Sequence, residues 1–198
     1  MNNLRERKRL PPDERRAQLL ECAIQAVAEH GISRATHSHV AKLAGVSKPT
    51  VHSYFRTRHD LVEEVLERVD RYLRGTVSRV LARNDDTLEA LTELAYRFAH
   101  DAEHNPDIVK VWLDWSTGVD NEAWSAYVDM LDQMHRSVAA SIRRSQKAGR
   151  LSAGLDARAA ARVFIGGGHT IALTQFAGVS GKQMQAFIHR MVSGALGS

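Results

Sequence analysis

From Asp13 to Ala195 the apolar residues return every third or fourth position, and no stretch alternates apolar with polar as a half-buried strand does. A chain patterned this way hides its apolar surface by packing helix against helix. Composition supports the same reading, because only four prolines interrupt a sequence rich in Ala, Leu, Arg and Glu. The 198 residues, 43% of them apolar, suffice for a sizeable core, either as one compact domain or as a small head on a larger body. No internal repeat is visible.

Nine helices are expected. Asp13 is read as the cap of the first, with Leu19, Leu20, Ala23, Ile24 and Val27 on one face and Gly31 as its stop. Two short helices, 37–44 and 48–54, lie on either side of Gly45, and Ser47 caps the second. Thr57 and Asp60 frame a capping box ahead of a long helix whose apolar stripe runs from Leu61 to Val77. The turn Asn84-Asp85-Asp86 opens a helix at 87–104, which Asn105-Pro106 stops. Further helices are read at 107–116, from beyond Asp120 to before Gly149, at 156–177 and at 182–195.

The segment 37–55, HSHVAKLAGVSKPTVHSYF, is the most specific feature. Ala41 falls where two crossing helices come closest, so its side chain must be small. Gly45 falls in the turn, where a positive φ is easiest for glycine. Val51 points back into the junction and anchors the second helix, while Val40, Ala44, Val46 and Phe55 complete a miniature core. This spacing is that of a DNA-binding helix-turn-helix. It leaves Lys48, Pro49, Thr50, His52 and Ser53 off the buried face as candidates for base and phosphate contacts. Thr36 and Ser47 sit at helix starts, whose open N–H groups suit phosphate, and Tyr54 and Arg58 flank the second helix within reach of a backbone.

Charge is placed to match. The whole chain carries +4, but residues 1–58 hold eleven Lys/Arg against five Asp/Glu, a balance of +6, which leaves −2 on the rest. A basic head on a mildly acidic body suits a polyanionic partner. Ahead of the head, Arg5, Arg7, Lys8 and Arg9 form a basic run. It reads either as a solvated tail or as an arm for a narrow minor groove.

The runs VAKLAGVSKPTVHSYF and RTRHDLVEEVL resemble the TetR family of bacterial regulators over about 16–66. YFRTRHDLVEEVL and VKVWLDWSTGVDNEAW are similar to its HapR/LuxR-type quorum-sensing master regulators. The resemblance implies an all-α, nine-helix TetR-like fold and a homodimer whose last two long helices build a four-helix interface. It also implies DNA contacts at Thr36, Lys48, Thr50, Tyr54 and Arg58, and use of the basic arm. Two departures stand out. His52 occupies a position where the wider family often has tyrosine, and Lys48-Pro49 replaces the small residues common in that branch.

In the body, Gly166-Gly167-Gly168 lies inside a helical pattern, at a cost of about 1 kcal/mol per glycine relative to alanine. Close approach of a partner helix, a ligand or a kink would offset it. A dimer surface is therefore expected from Val163, Gly166, Gly167 and Ile171 together with Met184, Phe187, Ile188 and Met191 on the last helix. Tyr96, Phe98, Trp112, Trp115, Met130, Met134, Phe164, His169 and Phe176 form either plain core or the lining of a cavity for a small apolar ligand.

The expected organisation is a basic arm at 1–12, a helix-turn-helix domain at 13–58 and a dimerisation and ligand-binding body at 59–198. Its partners are double-stranded DNA, a second copy and a small apolar ligand, with no cofactor and no membrane. The lone Cys22 excludes an internal disulfide and fits a cytoplasmic, nucleoid-associated protein, and residues 1–12 hold no apolar stretch of the signal-peptide kind. The apolar tract 159–177 contains Arg162, His169 and Gln175 and reads as a buried helix rather than a membrane span. Cys22 lies on an apolar face, and no phosphate-cradling loop or nucleophile–base arrangement is recognisable, so no enzyme is expected. Three regulators remain: a global quorum-sensing type, a local repressor released by a ligand, and a metal sensor using His100, Asp101 and His104.

Overall fold

The computed structural model describes residues 10–120 and 122–197, in two compact units that meet in sequence between Val65 and Leu66. Among the described residues there are nine helices and no strand. The basic run at Arg5, Arg7, Lys8 and Arg9 lies outside them.

The first unit holds α1 (Pro12–His30), α2 (His37–Ala44), α3 (Lys48–Tyr54) and the opening turns of α4 (Arg58–Arg83). Asp13 is not the cap of α1. Pro11 occupies the cap position and Pro12 opens the helix, so Asp13 falls in the first turn, where a carboxylate suits the helix dipole. Gly31, at φ 83°, ends α1. Leu19, Ala23, Ile24, Ala26 and Val27 are buried on its inner face, with Val40, Val51 and Phe55 buried from α2 and α3. The capping box at α4 forms as the sequence predicts: Asp60 N donates to Thr57 Oγ1 at 3.0 Å, and Thr57 N to Asp60 Oδ2 at 3.1 Å. This unit reaches Val65 rather than 58 because early α4 is bonded to it. Arg58 Nε donates to the Ala35 carbonyl at 3.0 Å, and Arg16 pairs with Glu64.

The second unit comprises the rest of α4 with α5 (Thr87–His104), α6 (Pro106–Thr117), α7 (Trp124–Lys147), α8 (Ala157–Phe176) and α9 (Gly181–Leu196). Asp86 and Asp156 cap α5 and α8, each accepting from two backbone N–H groups. Helix α8 packs against α5, α7 and α9. Its inner face mixes small with large residues (Ala157, Ala160, Ala161, Phe164, Ile165, Ile171, Ala172), and the alanines let neighbouring helices approach closely. A buried hydroxyl cluster ties α5 to α7: Thr87 Oγ1 lies 2.9 Å from Ser141 Oγ, 2.8 Å from Ser145 Oγ and 3.0 Å from the Ser141 carbonyl. Among the described residues no helix is long and apolar enough to cross a membrane.

Candidate nucleic-acid interface

The turn between α2 and α3 sets the geometry of the head. Gly45 takes φ 64° and ψ 32°, a left-handed conformation that its lack of a Cβ makes inexpensive. The Val46 N–H then reaches back to the Ala41 carbonyl at 3.0 Å. Ala41 is 6% exposed and Val51 and Phe55 are fully buried, so α3 is pinned by its apolar side. The opposite side of α3 carries Lys48, Pro49, His52 and Ser53, all exposed, with Thr50 and Tyr54 half-buried at its margins.

Several predicted contact residues have internal work. Thr36 Oγ1 accepts from the His39 N–H at 3.5 Å, and Ser47 Oγ accepts from the Thr50 N–H at 3.3 Å. Both hydroxyls therefore cap helices. Ser53 Oγ turns back to the Thr50 carbonyl at 2.7 Å. Arg58 has internal work too. Two donors of its exposed guanidinium are engaged by the carbonyls of Ile32 and Ala35, so it also holds the loop ahead of α2. Sequence reasoning missed Arg15 and Gln18. With Leu10, Gly45, Val46, Ser47 and Thr50 they line an open groove of about 540 Å³ beside the turn. Their position on the partly exposed face of α1 was the available signal. Arg16 was missed too; its guanidinium lies 5.7 Å over the Phe55 ring and donates to the Tyr54 carbonyl at 3.4 Å, fixing the end of α3.

Two imidazole pairs flank α2. His30 stacks on His39 with centroids 3.8 Å apart, and His37 stacks on His52 at 3.9 Å with planes 14° apart. His37 is 5% exposed, and its Nε2 donates to the Phe55 carbonyl at 2.8 Å. Burial holds its pKa below the ordinary histidine range.

The body contains an apolar cavity of about 80 Å³. Of the residues predicted for it, Phe98, Trp112, Met134 and Phe164 line it. The others do not. Tyr96 and Phe176 are exposed at 41% and 40%, Trp115 and Met130 are buried elsewhere in the core, and His169 lies tilted against Trp112, centroids 4.1 Å apart, without joining the lining. Helix α4 supplies Tyr72, Leu73, Thr76 and Val77, which the sequence reading did not include. Tyr72 Oη donates to Asp101 Oδ2 at 2.8 Å, and burial together with that carboxylate pushes the phenol up to about 12. The Trp112 indole N–H is buried with no hydrogen-bond partner among the described residues.

The expected dimer surface divides. Ile171, Met184 and Ile188 are at most 4% exposed and belong to this chain's own core, so they are not available to a partner. Gly167 is explained within the chain, because a methyl there would collide with the Met191 thioether on α9. Gly168 faces Trp112 and Phe98 at the cavity wall. Val163 and Gly166 do lie on an open face of α8, where Thr170, Leu173 and Phe176 continue the stripe and Val163 and Leu173 are 57% and 60% exposed. Phe187 and Met191 are half-buried on α9.

Asp101 is 8% exposed and accepts from Tyr72, so it does not join His100 and His104. Those two rings stack at 4.0 Å, with His104 Nδ1 donating to the His100 carbonyl at 3.1 Å. Among the described residues no group of three or more His, Cys, Asp or Glu is placed to hold a metal. The Cys22 thiol is pushed up by burial and by Glu21, away from the reactive thiolate.

Residues 19–65 match the family model described as bacterial regulatory proteins, tetR family. The chain is similar to the HTH-type transcriptional regulator LuxR of Vibrio harveyi, with 35% identity over 124 residues that cover 63% of this chain and 60% of that one. It is also similar to the HTH-type transcriptional regulator BetI of Agrobacterium fabrum, with 29% identity over 99 residues covering 50% of this chain and 48% of that one. The chain thus spans about half to three-fifths of the length of these curated relatives. Among solved structures it resembles the transcriptional regulator FadR from Bacillus subtilis in complex with stearoyl-CoA. The TM-score is 0.72 at 17% identity, covering 91% of this chain and 97% of that one. The architecture is the all-α fold of such regulators.

Proposed function

We propose that this chain, whose head belongs to the TetR family of bacterial regulators, is a sequence-specific transcriptional regulator that binds a pseudo-palindromic operator as a homodimer. One observation carries the reading. The Ala41–Gly45–Val51 junction buries one side of α3 and leaves Lys48, Pro49, His52 and Ser53 exposed together beside a groove edged by Arg15. A short helix presented this way suits the major groove, and the basic charge of the head suits the phosphates. The open stripe on α8, which includes Gly166, suits a second copy, and two heads read an inverted repeat. The cytoplasm, at the nucleoid, is the matching location, and the reading needs no catalysis and no cofactor. Selecting duplexes from a random pool with the full chain tests it. Enrichment of an inverted repeat is expected, and recovery of unrelated sequences would contradict it.

The similarity to LuxR over 124 residues supports a global, quorum-sensing type of regulator. A second reading, a local regulator released by a small molecule, is favoured by the apolar body cavity lined by Phe98, Trp112 and Phe164. At about 80 Å³ the cavity is well below the roughly 300–1,000 Å³ of drug-sized sites, so such a ligand is small or the helices part to admit it. Mapping bound sites across the chromosome separates the two. Dozens of sites support the global regulator, and one or two near its own gene support the local one.

A further inference from the structure

His37 opens α2, in the half of the helix-turn-helix that does not face outward, yet it touches α3 twice. Its Nε2 lies 2.8 Å from the Phe55 carbonyl, the backbone group that ends α3. A carbonyl only accepts, so this nitrogen carries the proton. The face of the same ring lies on His52, with centroids 3.9 Å apart and planes 14° apart. His52 is exposed on the polar side of α3, with Lys48 and Ser53, while His37 is almost fully buried.

Two charged rings at that separation repel, so the pair accommodates one proton, not two. The surroundings decide which ring receives it. His37 is held neutral by burial, with the His52 ring and the Lys48 ammonium acting in the same direction, while the Phe55 carbonyl and the Asp60 carboxylate act against them. His52 stands in solvent, where an anion meeting it would favour its charged form.

We propose that His37 is a positioning residue for DNA readout: it holds the His52 ring toward the duplex, and the stacked pair takes up one proton, on His52, when a DNA acceptor meets it. This rests on the DNA-binding reading above. It makes affinity pH-dependent in a defined direction. Proton uptake on binding means that affinity rises as pH falls toward the ordinary histidine range. If DNA prefers the charged ring tenfold over the neutral one, the change is about tenfold per head between high and low pH.

The test uses the full chain on its selected duplex, at fixed ionic strength, from pH 6 to 8. The wild type is expected to bind more tightly at pH 6, by about tenfold or more. His52→Gln keeps a hydrogen-bonding side chain without the proton, and its profile is expected to be flat. His37→Gln keeps a donor for the Phe55 carbonyl but loses the stack, so it is expected to bind more weakly at pH 6 with a flattened profile. His37→Phe, which restores the stack, is expected to recover the slope. The proposal is overturned by a wild-type slope in His52→Gln, or by wild-type affinity and slope in His37→Gln. Should the His37 variants unfold, imidazole ¹⁵N spectra of the wild type on DNA at pH 6.5 decide. A charged His52 beside a neutral His37 supports the proposal, and a neutral His52 contradicts it. Tight binding that ignores pH removes this proposal alone, whereas no binding at any pH in low salt removes the DNA reading itself.

Discussion

Arg58 shows how a single side chain can carry the right chemistry for one role while its geometry gives it another. It sits beside α3, as a phosphate-binding arginine would, and two of its donors serve the carbonyls of Ile32 and Ala35. Charge-assisted bonds of this kind contribute about 1.5–3 kcal/mol each, less where solvent reaches them. Arg58→Ala is therefore expected to lower head stability by about 1–3 kcal/mol in urea unfolding. Lys48→Ala, at an exposed site, should leave it within about 0.5 kcal/mol. The sequence supplied Arg58's proximity to α3 but not the direction of its guanidinium, which depends on where the loop after α1 returns. In the body, Tyr72 and Asp101 depend on each other in a way that no spacing rule reveals, since 29 positions separate them. The Tyr72 pKa is raised in the folded state to about 12, so its contribution is fully present below about pH 10 and lost as pH climbs through 12. Thermal melts of the wild type should consequently fall more steeply between pH 10 and 12 than those of Tyr72→Phe. Equal slopes would show that the bond does not couple to folding.

At the scale of elements, the helix-turn-helix was almost wholly legible, because its constraints are local. A small residue at a crossing, a glycine at positive φ and an anchor six positions on are visible in a dozen letters, and the capping box at Thr57 and Asp60 is equally short-range. Helix α8 was legible as a helix but not in its facing. It is apolar nearly all round, so periodicity cannot say which side meets the chain's own core; hence Ile171 was placed outward when it is buried, as Met184 and Ile188 on α9 also are. The three glycines likewise separate by neighbour rather than by sequence: Gly167 answers to Met191, Gly168 to Trp112, and Gly166 to nothing within the chain. If Gly166 marked only a weak point in the helix, Gly166→Ala would stabilise the protein by about 1 kcal/mol. A second copy closing on that face predicts the reverse. Sedimentation and dilution-dependent melting should show a weaker dimer in Gly166→Ala, and a dimer of unchanged strength would argue that the partner helix does not approach there.

For the whole molecule, the division into a basic head and a larger helical body was readable from charge and patterning, although the boundary was not. Early α4 is continuous with the rest of its helix, and contacts such as Arg58 to Ala35 tie it to the head. The cavity in the body was half legible. Aromatics at helical spacing identified Phe98 and Trp112, but the contribution of α4 through Tyr72, Thr76 and Val77 depends on which helices pack together, a non-local fact. The functional account stands on the exposed side of α3 meeting a polyanion, and its most direct test is the salt dependence of binding. Titrating a selected duplex with the wild type and with Lys48→Ala, from about 50 to 200 mM salt, gives the slope of log affinity against log salt. The account predicts a steep negative slope in the wild type and a slope shallower by about one unit per head in Lys48→Ala, with stability unchanged. The same affinity and the same slope in both proteins would contradict it.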